Sequence, residues 1–150
     1  MRAVILGLAM AVAASPALGA VNNRDVRATV ESYAKAITVG DPSKSPSFCE
    51  ANSTVVDEFA PHLWTGAGCS GWAKSFVAME HREGISACTA AVGPKGNVTI
   101  EGATAYAVYP TTVSCTKKGK PFADHGIWTF VMHKGAGGWK IASWTWSTRP

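Results

Sequence analysis

Three runs of β-forming residues near the carboxyl end constrain the fold of this chain more than any other feature. The runs are Ala103–Cys115, His125–Lys134 and Trp139–Thr148, and they are rich in Val, Ile, Thr, Tyr, Phe and Trp. Such residues suit a pleated, half-buried surface. Short breaks that contain glycine separate the runs, at Gly119 and at Gly135–Gly138. Breaks of this kind are typical of hairpins, so the sequence predicts an antiparallel meander.

The residues upstream of this meander predict helices that cover one face of the sheet. From about Arg24 to Val39, apolar side chains recur at i, i+3, i+4 and i+7 and therefore share one helical face. A second long helix is expected from Ser70 to about Glu83, and a short one from Ser45 to Ala51, where Ser-Pro suits a helix start. Further strands are predicted at Thr54–Val56, Ile85–Val92 and Asn97–Ile100. This order of elements favours an α+β fold.

Length and composition limit the class of protein. A chain of 150 residues suits one domain, and 47% hydrophobic with only 16% charged residues indicates a packed core instead of disorder. The net charge of +4 is a mild excess. Lys117, Lys118 and Lys120 cluster at a predicted hairpin tip, with no aromatic residues among them on which bases could stack. We therefore expect no nucleic-acid partner.

The first residues have the features of a secretory signal peptide. Met1-Arg2 supplies a positive start, Ala3–Ala14 is apolar, and Ala17-Leu-Gly19 places small residues where a signal peptidase reads. We predict a signal peptide at residues 1–19 and a single domain at residues 20–150, with cleavage after Ala20 as the alternative. The apolar run is short for a membrane span, although a retained interfacial anchor stays open. The protein is expected to be periplasmic or secreted, with no stable membrane insertion after cleavage.

Export changes the interpretation of the four cysteines. An even number of cysteines in an oxidising compartment favours two disulfides, for which three connectivities exist. No two cysteines have the spacing of a zinc knuckle, and the four histidines share no ligand spacing, so we expect no metal site. The cysteines and histidines concerned are Cys49, Cys69, Cys88, Cys115, His62, His81, His125 and His133.

The spacing of the predicted strands selects one connectivity. If the chain turns at Ile100–Ala103, residues opposite each other on the neighbouring strands have numbers that sum to about 203. Cys88 and Cys115 have that sum, and opposed Cβ atoms stand about 4.5–5.5 Å apart, close to the separation in a disulfide. The same argument leaves Cys49 to pair with Cys69.

The order of several phrases resembles a known family. The phrases are Gly137–Trp146 (GGWKIASWTW), Val55–Phe59 (VVDEF) and Tyr106–Pro110 (YAVYP). Across roughly Val26–Ser147 the chain resembles the nuclear-transport-factor-2-like superfamily, and in particular its SnoaL-like branch. That resemblance implies a cone-shaped fold, in which helices pack on the concave face of a strongly curved antiparallel sheet and leave a pocket. It also implies that a homodimer can form through the convex face.

The best-known enzyme of that superfamily, ketosteroid isomerase, implies candidate catalytic residues. Its tyrosine stands shortly before a Gly-Asp pair, as Tyr33 does here, and its general base closes a phrase like Thr54-Val-Val-Asp57. The resemblance thus implies Asp57 as base and Tyr33 as oxyanion donor. The enzyme's third residue, a protonated aspartic acid, is replaced by Trp128, which can donate a hydrogen bond but carries no acidic proton. Asp124 lies on the same strand face if the strand extends that far.

Two functional hypotheses follow, and purely structural roles for Tyr33 and Asp57 stay open beside them. The first is an exported domain that binds a small, largely apolar ligand and needs no cofactor. The second is an isomerase- or cyclase-type enzyme that works through Asp57 and Tyr33. A dimeric interaction module is a third. The residues expected to line the ligand pocket are Phe59, Trp64, Trp72, Phe76, Trp128, Trp144 and Trp146.

Overall fold

Two α-helices lie against a seven-stranded sheet in the part of the chain that the structure describes, residues 22–38 and 42–149 of a computed structural model. The predicted signal peptide and its cleavage site lie outside these residues. Helix α1 spans Asn23–Thr38 and helix α2 spans Gly68–Glu83, with a 3-10 helix at Pro42–Phe48 between them. None of the described helices is both long and apolar enough to cross a membrane.

The predicted meander forms the centre of the sheet. The strands are β1 Cys49–Val56, β2 Leu63–Trp64, β3 Ile85–Val92, β4 Asn97–Glu101, β5 Thr104–Lys117, β6 Lys120–Gly135 and β7 Gly138–Thr148. In spatial order the sheet runs β2-β1-β7-β6-β5-β3, and β4 also pairs with β5. Strand β1 pairs with β7 in parallel, and every other pair of these strands is antiparallel.

The short helix predicted at Ser45–Ala51 was wrong in its second half. The 3-10 helix ends at Phe48, and Cys49 begins β1 instead of lying in a helix. Cys49 stands opposite Ile141 of β7, so pairing with the sheet satisfies the backbone that a helix would otherwise have satisfied internally.

Helix α2 also begins earlier than predicted, at Gly68 instead of after a Ser70 cap. Ala67, at the N-cap position, makes no side-chain capping bond. The backbone N–H of Cys69 instead donates to Oγ of Ser53 on β1 across 3.2 Å. A side chain from the sheet thus satisfies one of the free donors at the helix start.

Both predicted disulfides form. Cys49 is bonded to Cys69 and Cys88 to Cys115, with Cα atoms 6.5 Å and 4.1 Å apart. The register between β3 and β5 has the predicted sum along Thr89–Val92, which pairs with Thr111–Ser114. An irregularity between Ser86 and Thr89 contains Cys88 itself.

The core lies between the helices and the concave face of the sheet. The buried side chains of α1 are Val26, Val30, Tyr33, Ala34 and Ile37. The ring of Tyr33 contacts Trp128 of β6 and Trp144 of β7, and the ring of Trp72 from α2 contacts Trp144 as well. Both helices therefore pack on one sheet face, as expected for a cone-shaped fold.

Candidate ligand-binding cavity

A cavity of about 570 Å³ opens between the two helices and the sheet. Its volume lies within the range of roughly 300–1,000 Å³ typical of small-molecule sites. Its aromatic lining consists of Phe59, Trp72, Phe76, Phe122, Trp128, Trp144 and Trp146. Its charged lining consists of Asp57, Glu58, Lys117 and Asp124. Aliphatic side chains, among them Ile37, Met79, Ile85 and Val113, and the Cys88–Cys115 disulfide complete the wall.

Asp57 is the partly buried carboxylate of this cavity. It follows β1 directly, and its backbone N–H donates to the carbonyl of His62 across 3.1 Å, which fixes the turn towards β2. Its Oδ2 accepts a hydrogen bond from Nε1 of Trp72 at 2.7 Å, and its Oδ1 accepts one from the backbone N–H of Glu58 at 2.7 Å. Both carboxylate oxygens are therefore held in place.

The surroundings of Asp57 raise its pKa to about 6. Burial is the largest cause because it penalises the charged form, and the nearby charge of Glu58 adds to it. The hydrogen bonds from Trp72 and Glu58, and the proximity of His62, oppose the rise. A carboxyl group with such a pKa can accept a proton near neutral pH, which is a property of general bases.

The tryptophans of the wall meet nearly at right angles. Trp72 and Trp144 have ring centroids 4.9 Å apart at 80°, and Trp144 and Trp128 are 5.5 Å apart at 85°. Trp128 stands opposite Trp146 in the register of β6 and β7, with the rings again at 85°. Because side chains alternate along a strand, Trp144 and Trp146 of β7 share one face. The Trp-Thr-Trp phrase thus places two rings in the same wall.

Tyr33 lies behind this wall and does not line the cavity. It is fully buried against the rings of Phe48, Trp128, Phe130 and Trp144. Burial raises the pKa of its hydroxyl, and the charge of Asp57 adds to the rise. The Trp144 indole opposes it, although no hydrogen bond of acceptable geometry joins the two side chains.

Three buried polar atoms lie on rings that contact one another around Tyr33. The hydroxyl of Tyr33 and the Nε1 atoms of Trp128 and Trp144 have no hydrogen-bond partner within residues 22–38 and 42–149. The three ring centroids are 5.5 to 6.2 Å apart. Such groups are costly to bury unpaired, so a buried water molecule is a candidate partner for them.

Six of the seven residues expected to line a pocket do so in the structure. Trp64 is the exception: its ring packs against Phe59 at 5.1 Å and its Nε1 donates to Oγ of Ser75 at 3.1 Å. The residues that do line the cavity are Phe59, Trp72, Phe76, Trp128, Trp144 and Trp146.

Sequence reasoning missed part of the rim of the cavity because β6 begins earlier than its predicted start at His125. The strand starts at Lys120, so Phe122 and Asp124 lie on the same face as Trp128 at a period of two. Both residues line the cavity, as does Glu58 after β1. Asp124 was expected on this face if the strand extended that far, and β6 does extend to Lys120. The alternation of Phe122 with Asp124 and Trp128 is the signal that could have found Phe122.

The described residues contain no group of three His, Cys, Asp or Glu side chains that could hold a metal ion. The lining of the cavity offers apolar surface, the partly buried carboxylate of Asp57 and the exposed carboxylates of Glu58 and Asp124.

Comparison with known proteins identifies the fold. The sequence matches no protein-family model and no curated protein. Among solved structures, the chain is similar to a nuclear transport factor 2-like superfamily protein from Salmonella enterica serovar Typhimurium, with 16% identity, 85% and 90% of the two chains covered, and a TM-score of 0.72. It is also similar to an NTF2-like protein with a cystatin-like fold from Novosphingobium aromaticivorans, with 17% identity, 83% and 80% covered, and a TM-score of 0.67.

A third similar structure, from Catenulispora acidiphila, was determined in complex with S-DNPA. The two chains are 12% identical, the similarity covers 83% of this chain and 91% of that one, and the TM-score is 0.69. Likeness at these identities concerns the fold. The chain therefore has the cone-shaped α+β fold of the nuclear-transport-factor-2-like superfamily.

Proposed function

We propose that this protein is an exported domain that binds a small, largely apolar ligand in the cavity between α1, α2 and the sheet. The observation that carries the proposal is the lining of the cavity, in which seven aromatic side chains surround a space of about 570 Å³. Sites for small molecules are concave and mostly apolar, with a few polar groups that orient the ligand. The structural neighbour in complex with S-DNPA supports the idea that this fold can hold a ligand.

Export is supported by the two disulfides. Disulfides persist in oxidising compartments and are rare in the cytosol. Cys49–Cys69 and Cys88–Cys115 use all four cysteines of the chain. Together with the signal-like residues 1–19 they favour a periplasmic or secreted protein.

The pKa of Asp57 favours a second candidate function, proton abstraction in an isomerase- or cyclase-type reaction. A pKa of about 6 makes this carboxylate a suitable base near neutral pH, and it lines the cavity. However, Tyr33 lies behind the wall, and the resemblance to ketosteroid isomerase places Trp128, which carries no acidic proton, at the position of that enzyme's acidic donor. Binding without chemistry is therefore the better-supported function.

The experiment that tests the proposal is recovery of ligand from the purified mature protein. Protein purified from its native host is denatured, and the small molecules released are identified by mass spectrometry. Phe76 lines the cavity, whereas Val77, the next residue of α2, is exposed and outside the lining. We expect Phe76→Ala to reduce the recovered ligand by at least about tenfold, from the apolar contact removed, and Val77→Ala to leave it unchanged.

Two results would contradict the proposal. One is the absence of any stoichiometric compound in the wild type when added apolar probes also fail to bind. The other is equal recovery from folded Phe76→Ala and Val77→Ala proteins. The enzyme hypothesis is tested separately with Asp57→Asn, which should abolish turnover of a ketone-type substrate while that substrate still binds.

A further inference from the structure

We propose that the ligand is a cation: an organic ammonium group attached to an apolar body, held by the aromatic wall and the acidic groups of the cavity. This inference rests on the proposed function, since it names the chemical class of the ligand for that cavity. It follows from two independent observations, the sign of the charges that line the cavity and the arrangement of the rings.

The charges at the cavity run against the charge of the whole chain. The chain has fourteen Lys and Arg against ten Asp and Glu. The cavity is nevertheless lined by three acids, Asp57, Glu58 and Asp124, while Lys117 is the single base in its lining among the described residues. Nζ of Lys117 already pairs with the Glu83 carboxylate at 3.4 Å. Glu58 is also partnered, because its two carboxylate oxygens accept hydrogen bonds from the backbone N–H and the hydroxyl of Thr148. An anionic ligand would therefore meet the like charges of Asp57 and Asp124 and a lysine that already has a partner.

A neutral, wholly apolar ligand would leave these acids unexplained. Carboxylates lose solvation when an apolar body covers them, and this loss is unfavourable unless an opposite charge or a donor replaces the water. Asp57 is the member of the set with least exposure, and each of its oxygens accepts one N–H hydrogen bond. An ionised carboxylate has about four lone-pair sites, so it retains acceptor capacity for a cation.

The rings provide the second observation. Cations are attracted to the faces of aromatic rings, most strongly to tryptophan, and sites for quaternary ammonium groups are built from several such rings. Trp72, Trp144, Trp128 and Trp146 follow one another with angles of 80° to 85° between neighbouring planes. All four line the cavity, so a compact group in it meets several tryptophan rings in one wall. The stack of Trp72 on Phe76, at 17°, extends this surface for the apolar body.

The test compares two probes of the same shape that differ in charge. Benzyltrimethylammonium is the cation, and neopentylbenzene is its neutral carbon isostere. Each is titrated into the ¹⁵N-labelled mature protein while the six indole N–H signals are followed by NMR. The signals of Trp72, Trp128, Trp144 and Trp146 report on the cavity. Those of Trp64 and Trp139, which lie outside the lining, are internal controls.

We expect the cation to bind at least about tenfold more tightly than its isostere, from cation–π and carboxylate contacts. Asp57→Asn and Asp124→Asn should each weaken the binding of the cation several-fold and leave the affinity for the isostere unchanged. Glu101→Gln removes an exposed acid outside the lining and should affect neither probe. The dispersion of each variant's spectrum shows that it is folded.

The outcomes separate the two proposals. If both probes shift the four cavity indoles with equal affinity, or the isostere binds more tightly, the cation inference is overturned while the apolar-ligand function stands. If neither probe moves those signals, the cation inference is overturned, and the apolar-ligand function is then decided by the recovery of ligand from the purified protein. Equal weakening by Glu101→Gln and Asp124→Asn would also overturn the inference, because the effect would then come from overall charge and not from the cavity.

Discussion

The indole N–H of Trp72 donates to Oδ2 of Asp57 across 2.7 Å, and this bond joins α2 to the end of β1 at the cavity wall. The pair combines an aromatic ring that packs in the core with a carboxylate that has become partly buried. Burial raises the pKa of Asp57 to about 6 despite the donated hydrogen bond. The cavity thus contains a group whose charge depends on its surroundings, and its effect on stability can be measured.

We predict that Asp57 makes the stability of the protein depend on pH. The ordinary pKa of 3.8 is raised to about 6 in the folded protein, so the folded state keeps the proton over a range in which the unfolded chain releases it. The protonated form of Asp57 therefore favours the folded state. This stabilisation is fully present below pH 3.8 and is lost as the pH rises through 6. At pH 8 the ionised Asp57 therefore lowers the free energy of unfolding by up to about 3 kcal/mol.

Asp57→Asn tests this prediction. The amide cannot ionise, but its NH₂ group faces the N–H of either Trp72 or Glu58 and cannot accept that hydrogen bond. The lost bond lowers the free energy of unfolding by about 1 kcal/mol. We expect the variant to be more stable than the wild type by about 1–2 kcal/mol at pH 8 and less stable by about 1 kcal/mol at pH 4. Urea denaturation at both pH values measures this. Asp124→Asn, at an exposed position in the same cavity, should change the free energy of unfolding much less at both pH values. Equal changes in the two variants would contradict the assignment of the pH dependence to Asp57.

A second prediction concerns the hydroxyl of Tyr33. It is buried among aromatic rings and has no hydrogen-bond partner in the described part of the chain. A buried hydroxyl without a partner destabilises a protein by roughly 1–3 kcal/mol. Tyr33→Phe should therefore raise the free energy of unfolding by about 1 kcal/mol or more, whereas Tyr106→Phe, at a half-exposed position, should not change it. A loss of stability in Tyr33→Phe would mean that the hydroxyl has a partner, such as a buried water.

The sequence predicted the fold well because its strongest signals are periodic and local. The β-forming runs before and after Gly119 and Gly135–Gly138 form the central hairpins, and the heptad-like spacing of Val30, Tyr33, Ala34 and Ile37 forms the buried face of α1. The disulfide between Cys88 and Cys115 was predicted from an approximate strand register. Paired residue numbers sum to 205 for Glu101 with Thr104 and to 203 for Thr89 with Ser114, which is close enough to the predicted sum to bring the two cysteines together.

The parts that could not be predicted depend on contacts between distant residues. Cys49 begins a strand only because β7, more than ninety residues later, offers it a parallel partner at Ile141. Asp57 acquires its raised pKa from burial, and its position from a bond to Trp72 on another element. Spacing along the chain carries no information about which ring faces the cavity, so Trp64 was placed in its lining although it packs beside Phe59 instead.

The amino terminus of the mature protein provides a third prediction. If residues 1–19 are a signal peptide, the exported protein begins at Ala20, or at Val21 if cleavage follows Ala20. Amino-terminal sequencing of protein from the periplasm or culture medium measures this directly. Exported material that retains Met1 would contradict it.

The fourth prediction concerns the two disulfides. They close loops with sequence separations of 20 and 27 residues, and loop entropy assigns each roughly 3 kcal/mol of stabilisation. Peptide mapping without reduction should recover Cys49 with Cys69 and Cys88 with Cys115. The paired variant Cys88→Ala/Cys115→Ala should lose about 2–4 kcal/mol in urea denaturation. Recovery of Cys49 with Cys88, or of four free thiols in exported protein, would contradict the connectivity.

The last prediction concerns Gly126, which leaves room for a ring of the cavity wall. A Cβ atom added to Gly126 would lie 2.5 Å from Cζ2 of Trp146 and 2.7 Å from the carbonyl oxygen of Ser147. Gly126→Ala must therefore displace the Trp146 ring or the neighbouring strand, and overpacking of this kind costs about 1–3 kcal/mol. Because Trp146 lines the cavity, we expect affinity for an aromatic probe to fall together with the free energy of unfolding.

Gly135→Ala is the matched control, since it lies on the same strand and a Cβ there would have no neighbour within 4 Å. Urea denaturation and titration of the probe should show little change in that variant. Combining Gly126→Ala with Trp146→Leu should recover part of the lost stability, because the ring is then gone while the contact with the Ser147 carbonyl remains. If Gly126→Ala is as stable as Gly135→Ala and binds the probe equally well, the close approach of Gly126 and Trp146 does not shape the cavity.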